Sequence, residues 1–401
     1  MSALDKMNEA LRNLSGGLIG ENTKADVGDA MAAFGGEDYD MMAWADPFMP
    51  DFSMKPKMVE KLCELIKAPA AAHYTAPVGN SELKQAIARK LKRKNDLEVN
   101  ANSNIIITPG SDAGLFFAMA PFLGKGDEVL IPCPSYPNNF QNCEIMGAVP
   151  VKVPLKAENG YQLEIAEFES RLTEKTKMVV LTHPNNPTTT VFNEKSLNDL
   201  RDFIVKNDLV LIVDQAFEDH IYDGRKFITP ASLEGLWERT VSVFSVSKGF
   251  GLSGLRVGYN VAPTQLMDKY YASAVAIVGA ASTIAQQAVI EAFEDPQYMD
   301  EFYAAFERRR RVVCEILSEV PDIKVDMPES GFLLWIDVGR LGGGAEVSRV
   351  LAQQAHVIVN DGAGYGAPEG IRIVIGVYRD DERVYAAMRK VAACLTELAK
   401  R

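Results

Sequence analysis

Short apolar runs alternate with longer amphipathic stretches along most of the chain, beginning near residue 80. Each run is long enough for one strand, and stretches such as residues 193–206 have the apolar spacing of a helix. Strands that are apolar on both faces are typical of a parallel sheet buried between two layers of helices. We therefore predict an α/β fold with a mainly parallel sheet covered by helices on both faces. The predicted strands are residues 105–108, 128–131, 151–153, 178–182, 209–213, 241–244 and 257–261.

The pattern changes after residue 264. Residues 264–311 have helical spacing, which is interrupted near Asp295-Pro296. Further strands are predicted over residues 323–325, 332–338, 357–359 and 371–375, with helices over 346–355 and 380–400. This mixture indicates a smaller α+β unit. We predict a large domain over residues 55–293, a small domain over 294–401, and an N-terminal arm, residues 1–54, that joins the small domain.

Charge and composition narrow the class of protein. The 401 residues carry a net charge of -12 with an isoelectric point near 5.0, which argues against nucleic-acid binding. The four consecutive arginines at 308–311 lie in a helical pattern beside Glu307 and Glu315, so we expect a solvated or interface helix face. The five cysteines are odd in number and lack C-x-x-C spacing, which favours reduced thiols over disulfides. The four histidines are dispersed along the chain, so the sequence shows no zinc-type cluster. Without a signal-like or membrane-length apolar stretch, the expected location is the cytoplasm.

Polar residues follow the predicted strands at the edge where open α/β sheets bind ligands. Ser111 and Asp112 stand in a glycine turn that feeds a helix, and this position suits either an anion site or an ordinary N-cap. Tyr136 lies in a proline-braced loop, where its ring could cover a planar ligand, and Asn186 lies in a polar loop with amide donors. Asp214 ends an apolar strand, so its carboxylate needs a cationic or N–H partner; a structural N-cap is the alternative.

Lys248 follows the strand over 241–244 and is preceded by Ser245 and Ser247, with Arg256 eight residues further on. Partial burial and a cationic neighbour lower the pKa of a lysine and make it a nucleophile for carbonyl groups. A surface lysine in a glycine loop is the alternative interpretation of this segment alone.

The same loop matches the dinucleotide fingerprint at Gly249-x-Gly251-x-x-Gly254, with Asp268 near the position expected for the acid. A true fingerprint opens a helix whose N-terminus receives the pyrophosphate. Here the glycines run into the β-like residues 255–262, and Asp268 lies in a helical stretch, so the sequence disfavours a nicotinamide site.

One edge of the predicted sheet thus combines an anion site, an aromatic ring, amide donors, a carboxylate, a lysine and an arginine. A phosphorylated aromatic heterocycle that carries an aldehyde would use all of them. Lys248 would form an imine with the aldehyde, and Asp214 would hold the ring nitrogen protonated, so that the ring acts as an electron sink. The phosphate would be held by the helix N-terminus with Ser111, Ser245, Ser247 and Arg256.

Over roughly residues 40–398 the chain resembles the pyridoxal-phosphate-dependent aminotransferases of fold type I, in the class I/II, aspartate-aminotransferase-like group. The most specific signature is Ser245-Val-Ser-Lys248 with Leu255-Arg256-Val-Gly-Tyr. The resemblance implies pyridoxal 5'-phosphate as the cofactor. It also implies that Asn186 contacts the ring hydroxyl, Asp214 pairs with the pyridine nitrogen and Tyr136 stacks on the ring.

The resemblance extends to the substrate and the partner subunit. Arg372 is similar to the arginine that binds the substrate α-carboxylate, and Asp46-Pro47 resembles the N-terminal segment that closes over the substrate, with Ala45 beside it. Tyr74 resembles the tyrosine that reaches the phosphate of the neighbouring subunit. A homodimer with active sites at the subunit interface is therefore implied.

Four positions depart from the family pattern. Phe217 stands where a tyrosine usually donates a hydrogen bond to the ring oxygen, so we expect bound cofactor with an altered imine pKa. His183 stands where an asparagine is usual, Thr189 where a glycine often follows, and Asp361 where a proline is common.

The expected reaction is transfer of the amino group of an L-amino acid to a 2-oxo acid, with Lys248 moving the α-proton. A β C–S lyase, or another enzyme of this fold that breaks the Cα–H bond, is an alternative because the same residues serve all of these reactions. A non-catalytic cofactor-binding regulator is a more remote alternative, since the N-terminal residues are few and not basic. The sequence does not fix the amino donor or the acceptor.

Overall fold

A computed structural model describes residues 6–7, 9–12 and 39–401, so most of the predicted N-terminal arm lies outside the described residues. The strands are β1 Asp40–Met41, β2 Ile105–Thr108, β3 Glu128–Cys133, β4 Val149–Pro154, β5 Thr176–Thr182, β6 Val210–Asp214, β7 Thr240–Ser245, β8 Gly258–Val261, β9 Lys324–Val325, β10 Leu333–Asp337, β11 Val357–Ile358, β12 Asn360–Asp361 and β13 Gly370–Val374. The α-helices are α1 Glu9–Arg12, α2 Pro56–Leu65, α3 Ser81–Lys94, α4 Ala101–Asn104, α5 Ser111–Met119, α6 Pro137–Ile145, α7 Ile165–Glu169, α8 Glu194–Lys206, α9 Thr264–Ile277, α10 Thr283–Glu294, α11 Asp300–Leu317, α12 Gly344–Val350 and α13 Asp381–Ala399.

The large sheet has seven strands in the order β2-β8-β7-β6-β5-β3-β4. Strands β7, β6, β5, β3 and β4 are parallel, whereas β8 runs antiparallel to both β2 and β7. Successive residues of β5 enter different cores: Met178 and Val180 pack in one cluster, Val179 and Leu181 in another. Both faces of the sheet are therefore buried, which explains the uninterrupted apolar runs and confirms the predicted fold class.

The second sheet is antiparallel, in the order β12-β13-β10-β9, and forms the smaller α+β unit. The short strand β1 pairs in parallel with β11, which attaches residues 40–41 to this unit. The predicted boundary at residue 294 falls at the end of α10, and the domain bounds themselves stay a prediction. No helix in the described part of the chain is long and apolar enough to cross a membrane, and all five cysteines are free thiols.

The prediction for the four arginines is wrong for the middle two. Arg309 and Arg310 in α11 have fully buried side chains, whereas Arg308 and Arg311 are exposed. Arg309 donates to the carbonyl oxygens of Val377 and Tyr378 at 2.8 Å each. Burial is tolerated because these oxygens satisfy the guanidinium donors.

Candidate active site

A cavity of about 350 Å³ lies at the carboxyl ends of the parallel strands. This is the edge of an open α/β sheet at which ligands bind. Its walls come from the large sheet and the loops that follow its strands, from the small unit, and from residues 43–46. The lining residues are Ala43, Trp44, Ala45, Asp46, Ser111, Asp112, Tyr136, Asn186, Asp214, Ala216, Phe217, Ser247, Lys248, Ser253, Gly254, Arg256, Asn360 and Arg372.

Lys248 enters the cavity three residues after the end of β7, and its Nζ donates a hydrogen bond to the carbonyl oxygen of Ala45. Burial lowers the pKa of this amine, while the charges of Asp112 and Asp46 raise it in part. A larger fraction of the amine is therefore neutral than for an exposed lysine, and a neutral amine is the nucleophilic form.

The glycines around Lys248 serve packing rather than a dinucleotide. A Cβ at Gly249 would lie 2.0 Å from Oδ2 of Asp219, and one at Gly251, where φ is 63°, would lie 2.4 Å from the ring of Phe302. The loop continues through a 3-10 turn, Ser253–Leu255, into β8. A helix start does not follow, which agrees with the sequence argument against a nicotinamide site.

Asp214 is the last residue of β6, and its Oδ1 accepts a hydrogen bond from the backbone N–H of Ala216 at 3.0 Å. Burial raises the pKa of this carboxyl to about 7, although the charge of Lys248 acts in the opposite direction. A buried carboxyl with a raised pKa gains from a cationic hydrogen-bonding partner. The protonated ring nitrogen of a heterocycle would supply one.

One end of the cavity is built around Gly110, which precedes helix α5 and has a φ of 89°. The guanidinium of Arg256 lies so close that a Cβ at Gly110 would be 2.2 Å from Nη2. A Cβ at Gly258 would be 2.7 Å from the backbone N of Ser111. The guanidinium of Arg256 therefore lies beside the N–H groups of the first turn of α5, and Ser247 lines the same cavity. This combination of donors is suited to binding a phosphate.

Asp112 links this end of the cavity to the aromatic wall. The hydroxyl of Tyr136 donates to Oδ1 of Asp112 at 2.8 Å, and Nη2 of Arg256 lies 3.8 Å from Oδ2. The tyrosine ring is thereby fixed at the edge of the cavity, where it can cover a planar ligand.

Arg372 in β13 forms the opposite end of the cavity. Its Nη1 donates to Oδ1 of Asn186 at 3.2 Å, and its Nη2 donates to Oδ1 of Asn360 at 2.8 Å and to the carbonyl of Ala43 at 2.9 Å. The guanidinium lies 5.0 Å from the ring centre of Tyr365. Among the residues that the structure describes, its buried Nε has no hydrogen-bond partner, so the group retains a donor for a carboxylate.

Residues 40–49, which we call the cover segment, cross the cavity. The small unit anchors the segment through the β1–β11 pair and through a hydrogen bond of 2.7 Å from Phe48 N to the Gly376 carbonyl. On the opposite side, Ser253 Oγ donates to Oδ1 of Asp46 at 2.6 Å, and Ala45 accepts from Lys248. The segment thus connects the two units of the protein across the site.

The structure brings most of the predicted site residues to one cavity, with two exceptions. Ser245 does not line it, because this residue still belongs to β7 and its Oγ accepts from the backbone N–H of Ser247 at 3.0 Å. Tyr74 is 99% exposed on the single chain and does not line the cavity. Its predicted contact with a partner subunit stays a prediction.

The four departures from the family pattern have distinct surroundings. Phe217 lines the cavity and packs against the ring of Phe332, with centroids 5.5 Å apart. His183 is stacked between two phenylalanine rings, and burial lowers its pKa to about 3, so it is neutral. Thr189 has a φ of 63°, which suits the glycine often found there, and Asp361 caps the next turn by accepting from Ala363 N at 2.8 Å.

The sequence argument missed Trp44, Ser253 and Asn360, all of which line the cavity. Asn360 lies directly opposite Arg372 in the antiparallel pair of β12 and β13, so both side chains share one face of the sheet. The register of this pair would have identified Asn360, but the register is not visible in the sequence.

Comparisons with known proteins agree with this geometry. The family model described as aminotransferase class I and II matches residues 40–390. A probable aspartate/prephenate aminotransferase of Aquifex aeolicus is 33% identical, covering 87% of this chain and 90% of that protein. Aromatic-amino-acid aminotransferase 2 of Thermococcus litoralis is 32% identical, covering 85% and 89%. The crystal structure of an aromatic aminotransferase from Pyrococcus horikoshii matches with a TM-score of 0.85 at 28% identity, covering 93% and 99%.

Proposed function

Because the chain belongs to the class I and II aminotransferases and therefore transfers amino groups, we propose that it does so with pyridoxal 5'-phosphate held in the Lys248 cavity. The amino group of an L-amino acid is passed to a 2-oxo acid. The observation that carries the proposal is the meeting, in one cavity, of the amine of Lys248, the buried carboxyl of Asp214 and the guanidinium of Arg372.

The residues fit this cofactor group by group. Arg256, Ser111 and Ser247 would hold the phosphate with the N-terminus of α5, and Tyr136 would cover the ring. The pKa of Asp214 is raised to about 7 by burial, and a protonated ring nitrogen beside this carboxyl would favour its charged form. When bound, the cofactor withdraws electrons from the substrate Cα and makes its proton removable.

The protein's own groups then position the substrate and move the proton. Arg372 binds the α-carboxylate through its Nε–H, which has no partner in the described part of the chain, and thereby orients the Cα–H bond. Lys248 would hold the cofactor covalently at rest, and its Nζ, when free, would take the α-proton of the substrate. Burial favours the neutral form of this amine, which can accept a proton.

We further propose a homodimer in the cytoplasm. The 99% exposure of Tyr74 supports a contact with a partner subunit, and five free thiols support a reducing compartment. Sedimentation of the purified protein should give twice the chain mass, and Tyr74→Ala should weaken cofactor binding. A monomeric species with full activity would contradict the dimer.

The central test compares Lys248→Ala with wild type and with Lys67→Ala, which removes an exposed lysine that does not line the cavity. We expect at least about a 10⁴-fold loss of amino transfer in Lys248→Ala, because both cofactor attachment and proton transfer are lost. Normal turnover of this variant with bound cofactor would overturn the assignment. Release of pyruvate and ammonia without a 2-oxo acid acceptor would instead show a lyase.

A further inference from the structure

Membership of the family leaves the side chain of the amino donor open, because the relatives are named for aspartate, for prephenate or for aromatic amino acids. The cavity itself contains information on this point. If the proposed function holds, the walls of the same site determine its substrate class.

The wall left for the donor side chain can be found by elimination. Arg256 belongs to the phosphate end, Arg372 to the α-carboxylate, and Lys248 to the reacting Cα. In the described part of the chain, these three are the cations among the side chains that line the cavity. The remaining wall consists of the cover segment, with Trp44, Ala45 and Asp46, together with Ser253 and Gly254.

Among the described residues, the side chains of this wall include one carboxylate, that of Asp46, and no cation. Arg256 adjoins the wall, since its Nη1 donates to the Ser253 carbonyl at 2.9 Å. Asp46 accepts a hydrogen bond of 2.6 Å from Ser253 Oγ, which fixes its carboxylate at the junction of the cover segment and the Lys248 loop. The negative charge of Asp46 also acts on the amine of Lys248, because it raises the pKa of that amine, whereas burial lowers it. A second carboxylate on a substrate would meet this half-buried charge, and two like charges in one cavity repel each other.

We propose that Asp46 is a specificity-determining residue that makes this enzyme accept monocarboxylic amino acids with neutral side chains and discriminate against dicarboxylic ones. Trp44 and Ala45 offer apolar contact to a neutral side chain. The carboxylate of Asp46 repels a carboxylate on the substrate side chain. The enzyme therefore discriminates through the difference in binding free energy between a neutral and a negatively charged side chain.

The test uses isosteric pairs of donors with the cofactor-loaded enzyme. The rate constant kcat/KM for the first half-reaction is measured with L-asparagine and L-aspartate, and with L-glutamine and L-glutamate. Each pair differs in charge at nearly constant shape. Wild type should favour the amide in both pairs, and Asp46→Asn should reduce the amide-to-acid ratio by at least about tenfold, as expected for one charge repulsion at an effective dielectric constant of about 20.

Two further variants separate charge from structure. Ser253→Ala removes the hydroxyl but keeps the charge of Asp46, so the ratio should stay on the side of the amide. Asp51→Asn removes a carboxylate two residues beyond the cover segment, which accepts from Arg379 N at 2.8 Å and does not line the cavity; its ratio should equal that of wild type.

The outcomes distinguish the inference from the proposed function. Equal or better use of aspartate by wild type, or an unchanged ratio in Asp46→Asn, would overturn the role of Asp46 while leaving amino transfer intact. A cation supplied to the wall by a partner subunit would give the same result and would overturn it equally. If none of the four amino acids nor any other donor is used, the proposed function itself fails.

Discussion

The two sides of the cavity are built in different ways. On the sheet side, Asp214 lies at the end of a parallel strand, in register with Thr182 on one neighbour and Val243 on the other. On the opposite side, the cover segment is held by a two-residue strand pair and a few hydrogen bonds. The proposed reacting groups, Asp214 and Lys248, therefore follow strands of the paired sheet, whereas the proposed substrate wall belongs largely to the separate cover segment. Chemistry and selectivity can change independently in such an arrangement.

After Lys248→Ala, the largest expected effect concerns Arg309, whose guanidinium lies 5.5 Å from the ring centre of Phe48 in the cover segment. Arg309→Met should lower the free energy of unfolding by about 3–5 kcal/mol, because it leaves Asp381 and the carbonyls of Val377 and Tyr378 without their buried donor. Urea unfolding measures the change. Arg308→Met, at the exposed neighbour, is the matched control and should cost less than about 1 kcal/mol. Equal losses in the two variants would show that burial of Arg309 is unimportant.

Removal of Arg372 should weaken the use of amino-acid substrates more than it weakens cofactor binding. We expect Arg372→Leu to lower kcat/KM for amino acids by at least about 100-fold, since a buried hydrogen-bonded charge pair is worth about 2–5 kcal/mol when one member is truncated. The control is a primary amine without a carboxylate, whose slow reaction with the bound cofactor should be little changed. A parallel loss with both substrates would mean that the variant damages the cofactor site instead.

Asp214→Asn tests the sheet side through pH. The folded-state pKa of Asp214 is raised to about 7, against an ordinary value of about 4, so the wild-type carboxyl contributes stability at low pH that is lost as pH rises through 7. Without cofactor, the variant should therefore be the more stable protein at pH 8, by on the order of 2–4 kcal/mol, with the gap closing towards pH 4. With cofactor the order should reverse. Thermal unfolding at several pH values measures the stability of both proteins with and without cofactor. If Asp214→Asn were less stable than wild type at pH 8 without cofactor, the burial of a charged Asp214 would not be destabilising.

The smallest effect is expected at Phe217. Phe217→Tyr adds a hydroxyl that can donate to the ring oxygen of the cofactor, which should lower the pKa seen in the absorbance of the bound cofactor by about one unit. The comparison is a spectrophotometric pH titration of variant and wild type. Identical curves would show that the missing hydroxyl does not set this pKa.

The sequence predicted the sheet side well, for a physical reason. Apolar runs locate parallel strands, and parallel strands deliver the residues that follow them to one edge, so Asp214 and Lys248 could be grouped before any coordinates. The burial of Arg309 could not be predicted, because its carbonyl partners come from residues about 70 positions away. Asn360 was missed for a similar reason, since its place opposite Arg372 depends on strand register.

The crowding of Gly110, Gly258 and Arg256 has a consequence for how this enzyme could change over generations. Any side chain at either glycine would collide with the guanidinium or with the backbone of α5, so these positions tolerate almost no replacement. Trp44 and Ala45 in the cover segment are only partly buried, so their replacement meets less restriction. Laboratory selection for new amino donors should therefore accumulate substitutions at Trp44 and Ala45, while Gly110 and Gly258 remain unchanged.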